Sequence, residues 1–165
     1  AGNRFSLGEP DGSESDRLKF ISDILKKAGF RAPIQKNIRD EIWLKLIGNL
    51  SFNPISALTG ATLEQICNDQ GTEAIVKAMM TEAKIIAEEL GAKINMSIEK
   101  RIEGARKVGA HKTSMLQDIE AGKPIEIDSI ITAVRELGEL TNSPTPYINT
   151  ILNLTLQKAK LIGCL

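Results

Sequence analysis

The stretch EAIVKAMMTEAKIIAEELG, residues 73–91, is the most regular in the chain. Its apolar residues Val76, Met79, Met80, Ala83, Ile86, Ala87 and Leu90 recur at three- and four-residue steps, so they share one stripe of an α-helix. Gly91 closes that stripe, as the residue best able to take the left-handed turn that ends a helix. The two methionines are expected to fill core rather than to line a binding surface.

Similar punctuation organises the sequence on both sides. Toward the N-terminus, Ser15 can cap a helix with apolar positions Leu18, Ile21, Leu25 and Ala28, ended by Gly29. Asn37 is a cap for the next helix, whose Asp40 and Glu41 suit a positive N-terminal end. Pro54 removes a backbone donor inside that helix, which predicts a kink or break within a turn of Asn53. Toward the C-terminus, helices are expected over 98–108, from a cap at Thr113 or Ser114 to near Gly122, over about 125–140, and from Tyr147 to about Ile162. Ser143-Pro-Thr-Pro146 separates the last two. Arg4 to Leu7 alternates polar and apolar residues and can be a short strand. The expectation is an all-α, bundle-like domain of about six or seven helices.

Composition excludes several roles. Lys plus Arg and Asp plus Glu are 21 each, so no net field attracts nucleic acid or an anionic membrane. Only 4% of residues are aromatic, too few for base-stacking platforms. Residues 46–63 carry no charge, but Asn49, Asn53, Pro54 and two glycines among them argue against a membrane span. Cys67 and Cys164 fit no metal or redox spacing; reduced thiols and a cytoplasmic setting are expected, and no metal site. The opening Ala-Gly-Asn-Arg-Phe-Ser-Leu-Gly-Glu has no signal-peptide core and reads as a chain entered partway.

Unusual polar residues concentrate in three segments. In Trp43-Leu-Lys-Leu-Ile-Gly-Asn-Leu-Ser-Phe-Asn-Pro54, Lys45, Asn49 and Asn53 recur every four residues, and four residues turn a helix by about 400°. Such a polar stripe is costly to bury unless something polar meets it; the simpler reading is a snorkelling lysine with two surface amides. The second segment is Gly109-Ala-His-Lys-Thr-Ser-Met-Leu-Gln-Asp118 and the third Glu126-Ile-Asp128. Ser114 reads equally as an N-cap and Glu126 as a first-turn acid. Gln117 and Asp118 read as structural, His111 as a loop or interface residue, and Trp43 as packing.

Together these residues resemble the C-terminal domain of the ketopantoate reductase (2-dehydropantoate 2-reductase) family. The resemblance rests on Trp43-x-Lys45-x-x-x-Asn49-x-x-x-Asn53-Pro54, Thr113-Ser-Met-Leu-Gln-Asp118, Glu126-Ile-Asp128 and Thr145-Pro146, in order over essentially the whole chain. It implies a helical domain like the C-terminal domain of 6-phosphogluconate dehydrogenase over 13–165, with residues 1–12 the end of a missing Rossmann domain. Asn3 to Glu9 would be that domain's last strand. The resemblance further implies a substrate half whose NADP (NADPH) is bound mainly by the absent domain, and no Gly-x-Gly-x-x-Gly occurs here. Such a half should not turn over alone.

By the same resemblance Lys45 is a buried proton donor to the carbonyl oxygen of a 2-oxo acid, and Glu126 is its carboxylate partner. Asn49, Asn53 and Ser114 are implied to bind substrate, and the helical domain to form a homodimer. Three positions depart from the family: Leu63 and His111 stand near places where members have substrate-contacting amides, and Thr132 stands where many have Gly. Ketopantoate is therefore the default substrate, with another 2-oxo acid handled by a paralogue as the variant. The alternatives are the helical domain of a 3-hydroxyacid-type dehydrogenase, or a non-catalytic helical interaction module whose polar stripe is only a solvated face.

Overall fold

The computed structural model describes residues 2–165; Ala1, the first residue of the 1–12 segment, lies outside the described residues. These residues form two compact units, one ending at Leu44 and one running Lys45–Leu165. Eight α-helices are present among them: α1 (Asp16–Lys27), α2 (Ile38–Thr59), α3 (Leu63–Asn68), α4 (Gln70–Glu89), α5 (Ile98–Val108), α6 (Ser114–Glu120), α7 (Ala133–Leu140) and α8 (Pro146–Ile162). A single π-helical turn, Asp128–Thr132, leads into α7. The all-α expectation holds, and α3 is the helix that periodicity did not separate, six residues being too few to show a stripe.

In the first unit, the Ser15 hydroxyl accepts from the Leu18 backbone N–H, capping α1 as expected. The predicted α1 stripe is only partly buried: Leu18 is inside and Leu25 half-buried, whereas Ile21 and Ala28 are exposed. Residues 3–7 do not make a named strand. They form two isolated parallel bridges, Arg4 with Arg31 and Leu7 with Ile34, tied by Phe5 N to Arg31 O (2.7 Å) and Gln35 N to Leu7 O (2.7 Å). A two-stranded pairing this short lacks the neighbours that would extend it into a sheet. Glu9 is buried and accepts from the Arg17 Nε at 3.1 Å and from the Ser15 hydroxyl.

The core of the second unit is built around α4. Val76, Met79, Met80, Ala83, Ile86 and Ala87 are fully buried, and only Leu90, at the last turn, escapes. Glu82 is buried on the same helix, and its two carboxylate oxygens accept from Tyr147 N and Ile148 N at 2.9 Å each. They satisfy the first N–H groups of α8, which Thr145 does not cap with its side chain.

Helix α2 runs through Pro54 to Thr59, correcting the expected break. Proline in a helix interior costs about 3 kcal/mol. Leu50, Phe52, Ile55 and Ala57 are all buried, and burial of such side chains at about 1.5–3 kcal/mol each outweighs that cost. Its C-terminal end is further held by Lys158 of α8, whose ammonium donates to the carbonyls of Ala57 (2.6 Å) and Leu58 (3.0 Å). A cation there satisfies orphan carbonyls and complements the helix dipole. The helix expected from about 125 instead begins after Glu126, with the π-turn as its opening.

Candidate functional site

Helix periodicity places Lys45, Asn49 and Asn53 along one drifting face of α2. They differ in burial: Lys45 is exposed, Asn49 half-buried and Asn53 buried. The buried ammonium expected at 45 is therefore corrected to an exposed one. The Asn53 amide nitrogen is shut away from solvent with no hydrogen-bond partner among the described residues. Leaving such a donor unpaired costs on the order of 1–3 kcal/mol. The neighbouring hydroxyls are all spent on backbone: Ser51 donates to Ile47 O, Ser56 to Ala61 O and Thr59 to Ile55 O. The amide of Asn53 alone among these is unpaired.

The second segment resolves one ambiguity left by the sequence. Thr113, buried, accepts from Leu116 N and is the cap of α6. Ser114 occupies the first helical position with its side chain exposed and without a hydrogen bond among the described residues. It is not the cap. Gln117 donates to the Lys112 carbonyl at 2.8 Å, a structural use consistent with the sequence reading. The loop before α6 is tied to the start of α3, where Leu63 N donates to His111 O at 3.0 Å and Glu64 N to Gly109 O at 3.3 Å. Leu63 and His111, two of the three departures from the family pattern, are thus direct backbone neighbours.

Glu126 is exposed and precedes the π-turn, held in place by its neighbours: Ile125 N donates to Cys164 O (3.0 Å), and Ile125 and Ile127 are both buried. Within the π-turn, Thr132 donates to the Asp128 carboxylate at 3.1 Å. Lys45 and Glu126 form no ion pair with each other or with any described residue, and no hydrogen bond links either to Ser114. The polar stripe and the two loop residues are all left free to meet something outside the chain's own bonds.

One charged residue escaped the sequence reading. Arg101 of α5 is half-buried and lays its guanidinium on the backbone of α2 at Gly48. A Cβ at Gly48 would lie 2.9 Å from both the Cζ and the Nε of Arg101, so a larger residue there would push the guanidinium aside. The signal was present: a glycine inside a buried helical run costs about 1 kcal/mol relative to alanine and so asks for a reason. Burial pushes the Arg101 pKa down, and no carboxylate offsets it. The cysteines are ordinary by contrast; both are free and buried, and burial raises the Cys67 thiol above its usual value. No helix among the described residues is long and apolar enough to cross a membrane.

Known proteins share this sequence and fold. The family model for the ketopantoate reductase PanE/ApbA C terminal matches residues 37–159. A 2-dehydropantoate 2-reductase of Mesorhizobium japonicum is 53% identical over 163 residues, 99% of this chain and 50% of that protein. The crystal structure of a ketopantoate reductase-type protein from Ralstonia solanacearum MolK2 superposes with a TM-score of 0.95 at 42% identity, over 100% of this chain and 50% of that one. That of 2-dehydropantoate 2-reductase from Methylococcus capsulatus gives 0.90 at 30% identity, over 97% and 56%. The chain spans about half the length of the curated relatives it matches.

Proposed function

Because this chain belongs to the ketopantoate reductase family and matches its C-terminal domain, we propose that it is the substrate half of an NADPH-dependent reductase of 2-oxo acids. Ketopantoate, reduced to pantoate on the way to pantothenate, is the substrate this reading assigns first. The observation that carries it is the α2 face: an ammonium with no ion pair, then a half-buried amide, then a buried amide nitrogen with no partner. A small polar ligand supplies what that face lacks.

The chain offers no glycine-rich dinucleotide cradle of its own. When NADPH is bound by the portion of the relatives that this chain does not cover, it supplies the hydride. The residues described here do the rest. As the carbonyl carbon is reduced, negative charge develops on its oxygen. Lys45 stabilises that charge and donates the proton, completing the 2-hydroxy acid. Asn49 and Asn53 fix the ligand along α2, and Ser114, released from capping by Thr113, donates its free hydroxyl to the substrate. Glu126 orients the Lys45 amine or holds the substrate's second hydroxyl once substrate draws them together. The enzyme is proposed to act in the cytoplasm as a homodimer, with the exposed Leu154, Leu161 and Ile162 of α8 as the apolar face available for the contact.

One observation favours a second substrate within the same chemistry. Leu63 and His111, joined backbone to backbone, stand near places where, by the resemblance, members have substrate-contacting amides. A site with fewer amides there would suit a 2-oxo acid with a less hydroxylated tail than ketopantoate.

Lys45→Ala in the full-length enzyme tests the mechanism. Turnover should fall by roughly 10²–10⁴-fold, the usual weight of a general acid, with NADPH affinity unchanged. Parallel loss of turnover and cofactor affinity would remove Lys45 from the proton-donor role.

A further inference from the structure

Helix α5 carries two arginines in opposite circumstances. Arg106 is fully satisfied: its Nε donates to Asn68 at 3.1 Å, and its Nη2 to the Cys67 carbonyl at 2.7 Å and to Glu73 at 3.0 Å, with Glu103 on its other nitrogen. Arg101 has none of this. Among the described residues its side chain makes no hydrogen bond and no ion pair, and its Nε is shut away from solvent without a partner. Burial with no counter-charge beside it disfavours the charged form of Arg101.

Its location narrows what the missing partner is. Gly48 follows Lys45 by three residues and precedes Asn49 by one. At about 100° per residue, Gly48 lies about 60° around the helix axis from Lys45, on the side away from Asn49. Arg101 therefore brings a second cation to the Lys45 flank of α2, about 100° around the axis from Asn49, in the space that Gly48 leaves. Two cations on one flank of the helix, with no carboxylate among the described residues bonded to either, suit an anion. The planar fork of a guanidinium matches a carboxylate bidentately, which an ammonium does not.

We infer that Arg101 is the carboxylate anchor of this site, a specificity residue admitted by Gly48 that holds an acid group of the substrate through paired N–H donors. The inference rests on the reductase reading and deepens it. It makes charge, rather than tail shape, the main selector among 2-oxo compounds at this position.

The test uses the full-length enzyme with a 2-oxo acid, its neutral methyl ester and a 2-oxo dicarboxylic acid such as 2-oxoglutarate. Turnover is measured for wild type, Arg101→Met, Arg101→Lys and Gly48→Ala, with calorimetric binding of the same compounds and melting curves for each variant. Gly48→Ala is the informative partner, because its methyl group displaces the flexible guanidinium without removing it. Both Arg101→Met and Gly48→Ala should raise KM for the acid by ~10- to 100-fold, the worth of a hydrogen bond to a charged group, with kcat far less changed. The ester's KM should not move, and Arg101→Lys should recover part of the loss. A penalty confined to the dicarboxylic acid would identify the anchored group as the substrate's second carboxylate. Equal penalties on acid and ester, or none, would overturn the inference and leave Arg101 a packing residue. A wild-type enzyme that binds NADPH but neither reduces nor binds any 2-oxo acid would instead overturn the reductase reading, and this inference with it.

Discussion

Helices α4 and α2 are of similar length, 20 and 22 residues, and they use their sequences in opposite ways. In α4 each local preference agrees with the fold: an unbroken apolar stripe, fully buried over six of its positions, with Asp69 accepting from Thr72 N as the N-cap and Gly91 at φ +83° as the terminator. In α2 three local rules are broken within seven residues. Gly48 leaves a gap, Asn53 buries an unpaired amide nitrogen, and Pro54 withholds a hydrogen bond. Departures from local rules collect where a chain answers to a ligand rather than to its own stability. The contrast sets a helix whose residues all serve the fold against the one proposed to receive a ligand.

Replacement on the two helices should bring the difference out. Met79→Ala in α4 should destabilise the chain by about 2–5 kcal/mol, as large-to-small changes in a packed core do, with substrate KM unaltered; denaturant melts with kinetics would read both. Glu126→Ala, at the loop that faces the α2 stripe only through substrate in this account, should lower kcat/KM by ~10-fold or more, about 1.4 kcal/mol, with stability unchanged. Wild-type kinetics would leave Glu126 as an acid that merely favours the following turn. Asn53→Leu should invert the α4 result: stability unchanged or raised by about 1 kcal/mol, because the unpaired donor is gone, while substrate KM rises. A loss of stability comparable with Met79→Ala would show that Asn53 serves the fold, and the contrast between the helices would fail.

A smaller effect belongs to the first unit. Hydrogen bonds from Arg17 and then Ser15 hold the Glu9 carboxyl below its ordinary pKa. The stability this lends is complete above the unfolded carboxyl's pKa and is lost as pH falls through the lower folded value. Melting curves between about pH 6 and pH 3 should show an acid-dependent loss in wild type that is smaller in Arg17→Met. Equal slopes would mean that Glu9 contributes nothing through its charge.

What could be read in the sequence follows the same division. The apolar stripe of α4, the bounds of α5 and the breaks at Gly91, Gly122 and Ser143–Pro146 were legible because burial imposes a period and turns demand particular residues. The eight-residue α7 was legible only as part of a longer run, since nothing in its pattern marks a π-turn. The break expected at Pro54 did not form, because a local backbone cost is outweighed when its neighbours Leu50, Phe52 and Ile55 are buried against partners that periodicity does not reveal. In the site, the α2 stripe was visible as a spacing, but the roles of Lys45, Asn49, Asn53, Ser114 and Glu126 came from resemblance. Periodicity says which residues share a face and not what meets it. Thr113 or Ser114 as cap could not be decided until backbone geometry chose Thr113. Arg101 was invisible because its meaning depends on Gly48, more than fifty residues earlier.

The central claim is that the polar face of α2 receives the substrate of a 2-oxo-acid reductase. A crystal structure of the full-length enzyme with NADP and the 2-hydroxy acid product tests it most directly. The account predicts the product's C2 oxygen within about 3 Å of the Lys45 Nζ and a ligand oxygen accepting from the Asn53 amide. A product bound away from α2, with the Asn53 nitrogen still unpartnered, would contradict it.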